Sequence, residues 1–253
     1  MCLVVFAWDP GAEQRLVLVG NRDEFHARPT APMDWWGEPP MLGGRDLQAG
    51  GTWLGVDAAG RFGVLTNFRG TAGPAGAPSR GTLIPRFLAG SGAPGDFLDG
   101  VASEAERYAG FSLLLGNRHE LAYFSNGERV QPRRLGPGTY GLSNGLLDSP
   151  WPKVTRSRER LNAQLAAANS PEHLFDVLAD RGVAADHELP DTGAGRELER
   201  RLSASFIVGE DYGTRSSSVL CLRGDGGGVA LERSHGPDGH ATALRRFEIG
   251  ARR

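Results

Sequence analysis

Strand-like runs open and close this chain, and its helical segments lie between them. Cys2–Trp8 and Arg15–Val19 are apolar and β-rich, separated by the turn signal Asp9-Pro10-Gly11. Residues 52–57 and 61–67 flank Ala58-Ala59-Gly60 like the arms of a hairpin, and further runs fall at 111–115 and 121–125. Helical spacing occupies about 82–89, 95–108 and 151–168, and Ser170-Pro171 announces another helix running to about Arg181. Residues 184–195 read as loop. Strand character returns at 204–209, 217–223 and 229–233. This order predicts layered α+β structure, not an alternating doubly wound sheet. With neither a repeat nor a linker, residues 1–253 read as one domain.

Composition narrows the function classes. Gly and Pro make up about 21% of the chain, against a usual ~12%. They follow no G-X-Y repeat, and 40% hydrophobic residues suffice for a core. Twenty-eight Lys+Arg against 30 Asp+Glu leave a net charge of -2, which removes the electrostatic case for nucleic acid. No run of 18 apolar residues suggests a membrane span. The N-terminus lacks the basic region of a signal peptide, so a reducing cytoplasmic location is expected. Two distant cysteines make no disulfide framework, and no CxxC or HExxH exists to hold zinc. Gly43-Gly44-Arg45-Asp46 and Gly50-Gly51-Thr52-Trp53 lack the context of a phosphate loop and read as turns. Trp35-Trp36 reads as a loop pair, Trp53 as a core or pocket-wall residue, and Cys221 as inert packing.

Cys2 carries the most chemistry. A small second residue lets the initiator Met be removed, leaving a thiol and a free α-amine on one residue. The amine, with a pKa of about 7.7–8.0, can take the proton of a thiol near 8.5. If residues 2–8 pair with 15–21 so that Trp8 opposes Arg15, Cys2 falls opposite Asn21. The polar run Asn21-Arg22-Asp23-Glu24 then emerges beside the nucleophile, where an arginine favours the thiolate and pairs an anionic substrate group. Asn67 and Asn144 each follow a strand-like run, where two side-chain amides can meet at one oxyanion.

Six blocks in order resemble the NRDE, or transport-and-Golgi-organisation, family. They are Met1-Cys2; residues 21–25 with Arg28-Pro29-Thr30; 50–55; 65–69; Gly141–Asn144 with Leu147–Lys153; and Tyr212–Ser218. More distantly the chain is similar to N-terminal nucleophile (Ntn) hydrolases of the bile-salt hydrolase and penicillin V acylase type. That resemblance implies a four-layer αββα sandwich of antiparallel sheets and amide cleavage by a processed N-terminal Cys. It matches Cys2 to the nucleophile, Arg22 to the arginine near it, Asn67 and Asn144 to the site asparagines and Arg215 to the late arginine. Where those hydrolases place an aspartate three residues after the arginine, this chain has Phe25, so Asp23 or Glu24 takes the α-amine. Asn21, Glu24, Trp53 and Arg69 are expected to contact substrate.

The resulting expectation is a cysteine amidohydrolase acting on the amide or acyl bond of a small apolar anionic molecule, with no cofactor required. The alternative is a non-catalytic carrier or chaperone that uses the same pocket. Through the family, it would carry haem or acyl-CoA and related lipids. The sequence carries no signal for oligomeric state.

Overall fold

The computed structural model describes residues 3–127, 130–167 and 170–250; Cys2 lies outside them. The strands, in chain order, are β1 (Leu3–Trp8), β2 (Gln14–Phe25), β3 (Thr30–Trp35), β4 (Leu42–Asp46), β5 (Leu54–Val56) and β6 (Phe62–Asn67). After α1 (Leu83–Ala89) and α2 (Pro94–Ser103) come β7 (Phe111–Gly116), β8 (Leu121–Ser125), β9 (Val130–Arg134) and β10 (Gly138–Leu142). Then follow α3 (Pro152–Ala166), α4 (Arg196–Arg201), β11 (Tyr212–Arg223), β12 (Gly228–His235) and β13 (Ala241–Ile249). The strands form a six-stranded sheet, β10-β1-β2-β11-β12-β13, and a seven-stranded sheet running from β3 to β9 in order. Every pairing is antiparallel.

Side-chain alternation sorts the core into three apolar layers. Even-numbered Val4, Phe6, Leu16 and Leu18 face the second sheet and meet Phe62, Val64 and Leu114. Odd-numbered Leu3, Val5, Val17 and Val19 face outward and are covered by Val154 and Leu161 of α3 and by Leu174–Leu178. The second sheet's outer face, through Leu65, Leu113 and Leu115, packs on α1 and α2. Burying each such side chain contributes about 1.5–3 kcal/mol. The result is the expected four-layer αββα sandwich.

Local details depart from the sequence expectations. The β1–β2 register is one residue on: Trp8 opposes Leu16, and Asn21 opposes Leu3. Arg15 lies within β2 but faces Asp9, whose N–H donates to Arg15 O at 2.9 Å, and its buried guanidinium reaches the carbonyls of Gly60, Asn117 and Arg223 at the far end of the sandwich. Residues 170–181 form a 3-10 segment, Pro171–Leu178, with no side-chain cap from Ser170. Ser170 Oγ pairs instead with His173 Nδ1 at 3.0 Å. Residues 204–209 are irregular, not a strand; the Ser205 carbonyl accepts from the Asn21 side chain of β2, as described below. Gly43-Gly44 lies in a strand, not a turn, because the Trp53 indole occupies that face: a Cβ on Gly44 would lie 2.4 Å from the ring. Trp35 ends β3 and is exposed, whereas the Trp36 indole donates to Gly43 O at 2.9 Å.

Candidate functional site

The Asn21–Glu24 run ends β2, and strand alternation divides it. Arg22 and Glu24 point between the sheets, while Asn21 and Asp23 point outward beneath the helical layer. At the open end of the intersheet space lies a cleft of about 460 Å³, lined by Arg22, Glu24, Phe25, Arg28, Asp46, Thr52, Trp53, Asn67 and the wall 77–81.

Arg22 is the anchor of this cleft. Only 3% exposed, its guanidinium lies 4.2 Å from the Trp53 ring centroid and donates to Thr30 Oγ1 at 3.2 Å. Glu24 and Asp46 stand 3.8 and 3.6 Å away. Asp46 also accepts from Arg28 Nε at 2.8 Å. Burial opposes ionisation of Asp46, but the Ala49 N–H and the hydrogen bond and charge of Arg28, with the charge of Arg22, hold its carboxyl below its ordinary value. Arg80 donates to Gly110 O at 2.7 Å from the cleft wall. Burial and the charge of Arg28 lower its pKa. Arg22, Arg28 and Arg80 thus face Glu24 and Asp46, leaving an excess of positive charge under a partly apolar roof. Such a cleft suits an anionic group on an apolar body.

The remaining expected site residues are placed variously. Asn67 is exposed at the cleft. Asn144 lies behind it, with Nδ2 donating to Asn67 O at 3.0 Å and its own carbonyl accepting from Arg69 N at 2.8 Å. Arg69 turns away to pair with Glu199 of α4, its guanidinium 5.0 Å from the Trp151 ring. Arg215 is the bulged residue of β11 and clamps the β2–β3 turn, donating to Arg28 O at 2.6 Å and Phe25 O at 3.1 Å. It therefore positions Arg28. Nothing in the sequence marks Asp46 and Arg80 as site residues, and Arg28 stands out only as part of Arg28-Pro29-Thr30. No spacing rule links positions that far apart.

The outward half of the motif is built into the scaffold. Asn21 Nδ2 donates to Ser205 O at 2.6 Å and Leu178 O at 3.1 Å, and Asn21 Oδ1 accepts from Ser217 at 2.6 Å. Asp23 Oδ1 accepts from Thr214 at 2.7 Å. Ser217 Oγ also lies 3.0 Å from His235 Nε2. Because the one hydroxyl proton goes to Asn21, His235 must donate from Nε2, and its buried Nδ1 stays bare, with no partner among the described residues. Burial, then the charges of Arg233 and Arg181, push this imidazole from 6.5 down to about 4. Between those values the unfolded chain binds a proton that the folded chain refuses, so stability falls as pH drops through that window. Thermal unfolding from about pH 7 to about pH 4 should show this loss, with a shallower slope in His235→Gln. Identical slopes would remove the assignment.

Layers and cleft together describe a two-sheet sandwich with a charged cleft at one end, and its family is shown by comparison. The chain belongs to the Transport and Golgi organisation 2 family, whose sequence profile matches residues 1–237. A Transport and Golgi organization protein 2 homolog from Bos taurus is 34% identical, with 92% of this chain and 93% of that protein covered. The Homo sapiens homolog is 33% identical over the same shares, and the Drosophila melanogaster protein 29% identical over 88% of each. Among solved structures, a Caenorhabditis elegans N-acylethanolamine-hydrolyzing acid amidase ortholog matches with a TM-score of 0.48 and 9% identity, covering 88% of this chain and 93% of that one. No helix among the described residues is long and apolar enough to cross a membrane.

Proposed function

We propose that the chain is a cysteine amidohydrolase of the N-terminal nucleophile type, acting on the amide or acyl bond of a small apolar anion. The observation that carries this reading is the start of β1. Leu3, the first described residue, opposes Asn21, so β1 begins beside the end of β2 where Arg22 enters the cleft. With Met1 removed, the Cys2 α-amine takes the thiol proton and the thiolate attacks the substrate carbonyl carbon. The carbonyl π electrons move to oxygen, where the Asn67 amide is a donor at the cleft surface. Collapse breaks the C–N bond, the protonated amine supplies the leaving nitrogen's proton, and water hydrolyses the thioester. Arg22, Arg28 and Arg80 hold the anionic end of the substrate.

A second reading has its own observation. The Asn144 amide donates to Asn67 O, which turns one of its protons away from an oxyanion. A carrier needs no oxyanion hole, only the arginines and the apolar roof. Among the described residues the cleft lining includes no His, Cys, Met or Tyr that could ligate haem iron, so, Cys2 apart, a carried haem or acyl-CoA would be held through its anionic groups.

Intact mass and an electrophilic acyl probe separate the two readings. The enzyme reading expects loss of Met1, a stable acyl adduct on Cys2, and a turnover loss of at least about a thousandfold in Cys2→Ala. Retained Met1, or full turnover in Cys2→Ala, sinks it. Saturable, unreacted binding of haem or a long-chain acyl-CoA to both proteins would instead favour the carrier.

A further inference from the structure

Behind Arg22 the intersheet face stays polar where it would be expected to be apolar. Gly20, Ser218, Glu232 and Arg245 are successive partners across β2, β11, β12 and β13, and Arg22 is the partner of Ser216. Glu232 is 1% exposed, Ser218 0% and Ser216 6%. One carboxyl oxygen of Glu232 crosses to the second sheet and accepts from Met33 N at 2.6 Å. The other oxygen and the hydroxyl of Ser218 have no partner in hydrogen-bonding geometry among the described residues, and Ser216 stands close enough to Glu232 to favour its charged form. A cluster of this kind, sealed from solvent, is costly in a merely structural core.

We propose that Glu232 is a positioning residue for the cleft, setting how much of the Arg22 charge an anionic ligand meets. While its carboxyl is neutral, Glu232 adds no charge behind Arg22, whose cleft side meets Glu24 and Asp46. Once ionised, Glu232 becomes a third carboxylate on Arg22, from the rear, and the guanidinium's field in the cleft weakens. The geometry supports this coupling, because Arg22 and Ser216 are paired and Ser216 adjoins Ser218 and Glu232 on the same face. Burial pushes the Glu232 carboxyl up. The Met33 N–H, the charge of Arg245, Ser216 and the charge of Arg22 act the other way without overcoming it. The charged groups around this cluster are Arg22 with Glu24 and Asp46 on the cleft side, and Arg245 on β13, itself 3.6 Å from Asp34 of β3.

The inference rests on the cleft being an anion site, and the test separates the two. Decanesulfonate, whose charge is constant between about pH 5 and about pH 9, is titrated into the full chain and into E232Q, which keeps an oxygen for Met33 N. As pH rises through the Glu232 ionisation, wild-type affinity is expected to fall about tenfold further than that of E232Q, any titration of Cys2 being common to both. Arg245→Met removes a cation that favours the carboxylate, so it should move the wild-type transition to higher pH. Infrared spectra should show a protonated-carboxyl band at neutral pH that is absent from E232Q. Equal pH dependence in wild type and E232Q, or no such band in wild type, overturns the proposal. A band with no saturable binding to either protein at any pH removes the anion-site reading, and this inference with it.

Discussion

Replacing Asn21 with leucine is expected to destabilise the protein by roughly 3–5 kcal/mol, a fall in Tm of roughly 10 °C for a chain this size. The substitution conserves shape but strips the donors from Leu178 O and Ser205 O and the acceptor from Ser217, all of them buried. Leu178 O and Ser205 O then lose their Asn21 donor, and the Ser217 hydroxyl proton loses its acceptor while its oxygen keeps His235. Three residues along the same strand, Glu24→Gln changes a partly exposed ion pair, 3.8 Å from Arg22, and should cost within about 1 kcal/mol. Thermal and denaturant unfolding of both variants decides the matter. Equal stability of Asn21→Leu and Glu24→Gln would end the division of the motif into scaffold and cleft halves.

The second large effect is expected at Gly51. Here the loop after β4 passes Gly81 backbone to backbone, and Thr52 N donates to Gly81 O at 3.0 Å. A methyl group on Gly51 would lie 2.3 Å from Gly81 C and 2.6 Å from its Cα and O. Neither partner is a flexible side chain, so the wall 77–81 must move and take Arg80 with it. Gly51→Ala should therefore cost about 1–3 kcal/mol and weaken binding of an anionic probe at least about tenfold. Gly92→Ala, with no atom within 4 Å of its added carbon, serves as the control. Unchanged binding by Gly51→Ala would mean that Arg80 takes no part in the cleft.

The layered fold could be read from the sequence because its strands are long and apolar and lie at the ends of the chain. The side that each motif residue faces could not. Leu16–Val19 of β2 is apolar on both faces, since one face meets a sheet and the other a helical layer, so the pattern does not say which parity points inward. The register then hung on the 9–14 connection, which closes with Arg15 opposite Asp9 and not Trp8. Trp53 could be read as a pocket wall, yet its effect on Gly44 appears only once β4 lies beneath it. Asp46 and Arg80 join Arg22 through chain reversals that leave no local signature. Cys2, the centre of the sequence argument, is followed directly by Leu3, the outermost described residue of β1.

The split orientation of β2 also bears on how such a motif persists. A descendant that gave up all chemistry in the cleft would be released from Arg22 and Glu24, but it would still need Asn21 to hold Leu178 and Ser205 and Asp23 to hold Thr214 of β11. Two letters of the four would outlive the activity. Retention of the whole motif in a relative therefore speaks for ligand handling only through its second and fourth positions.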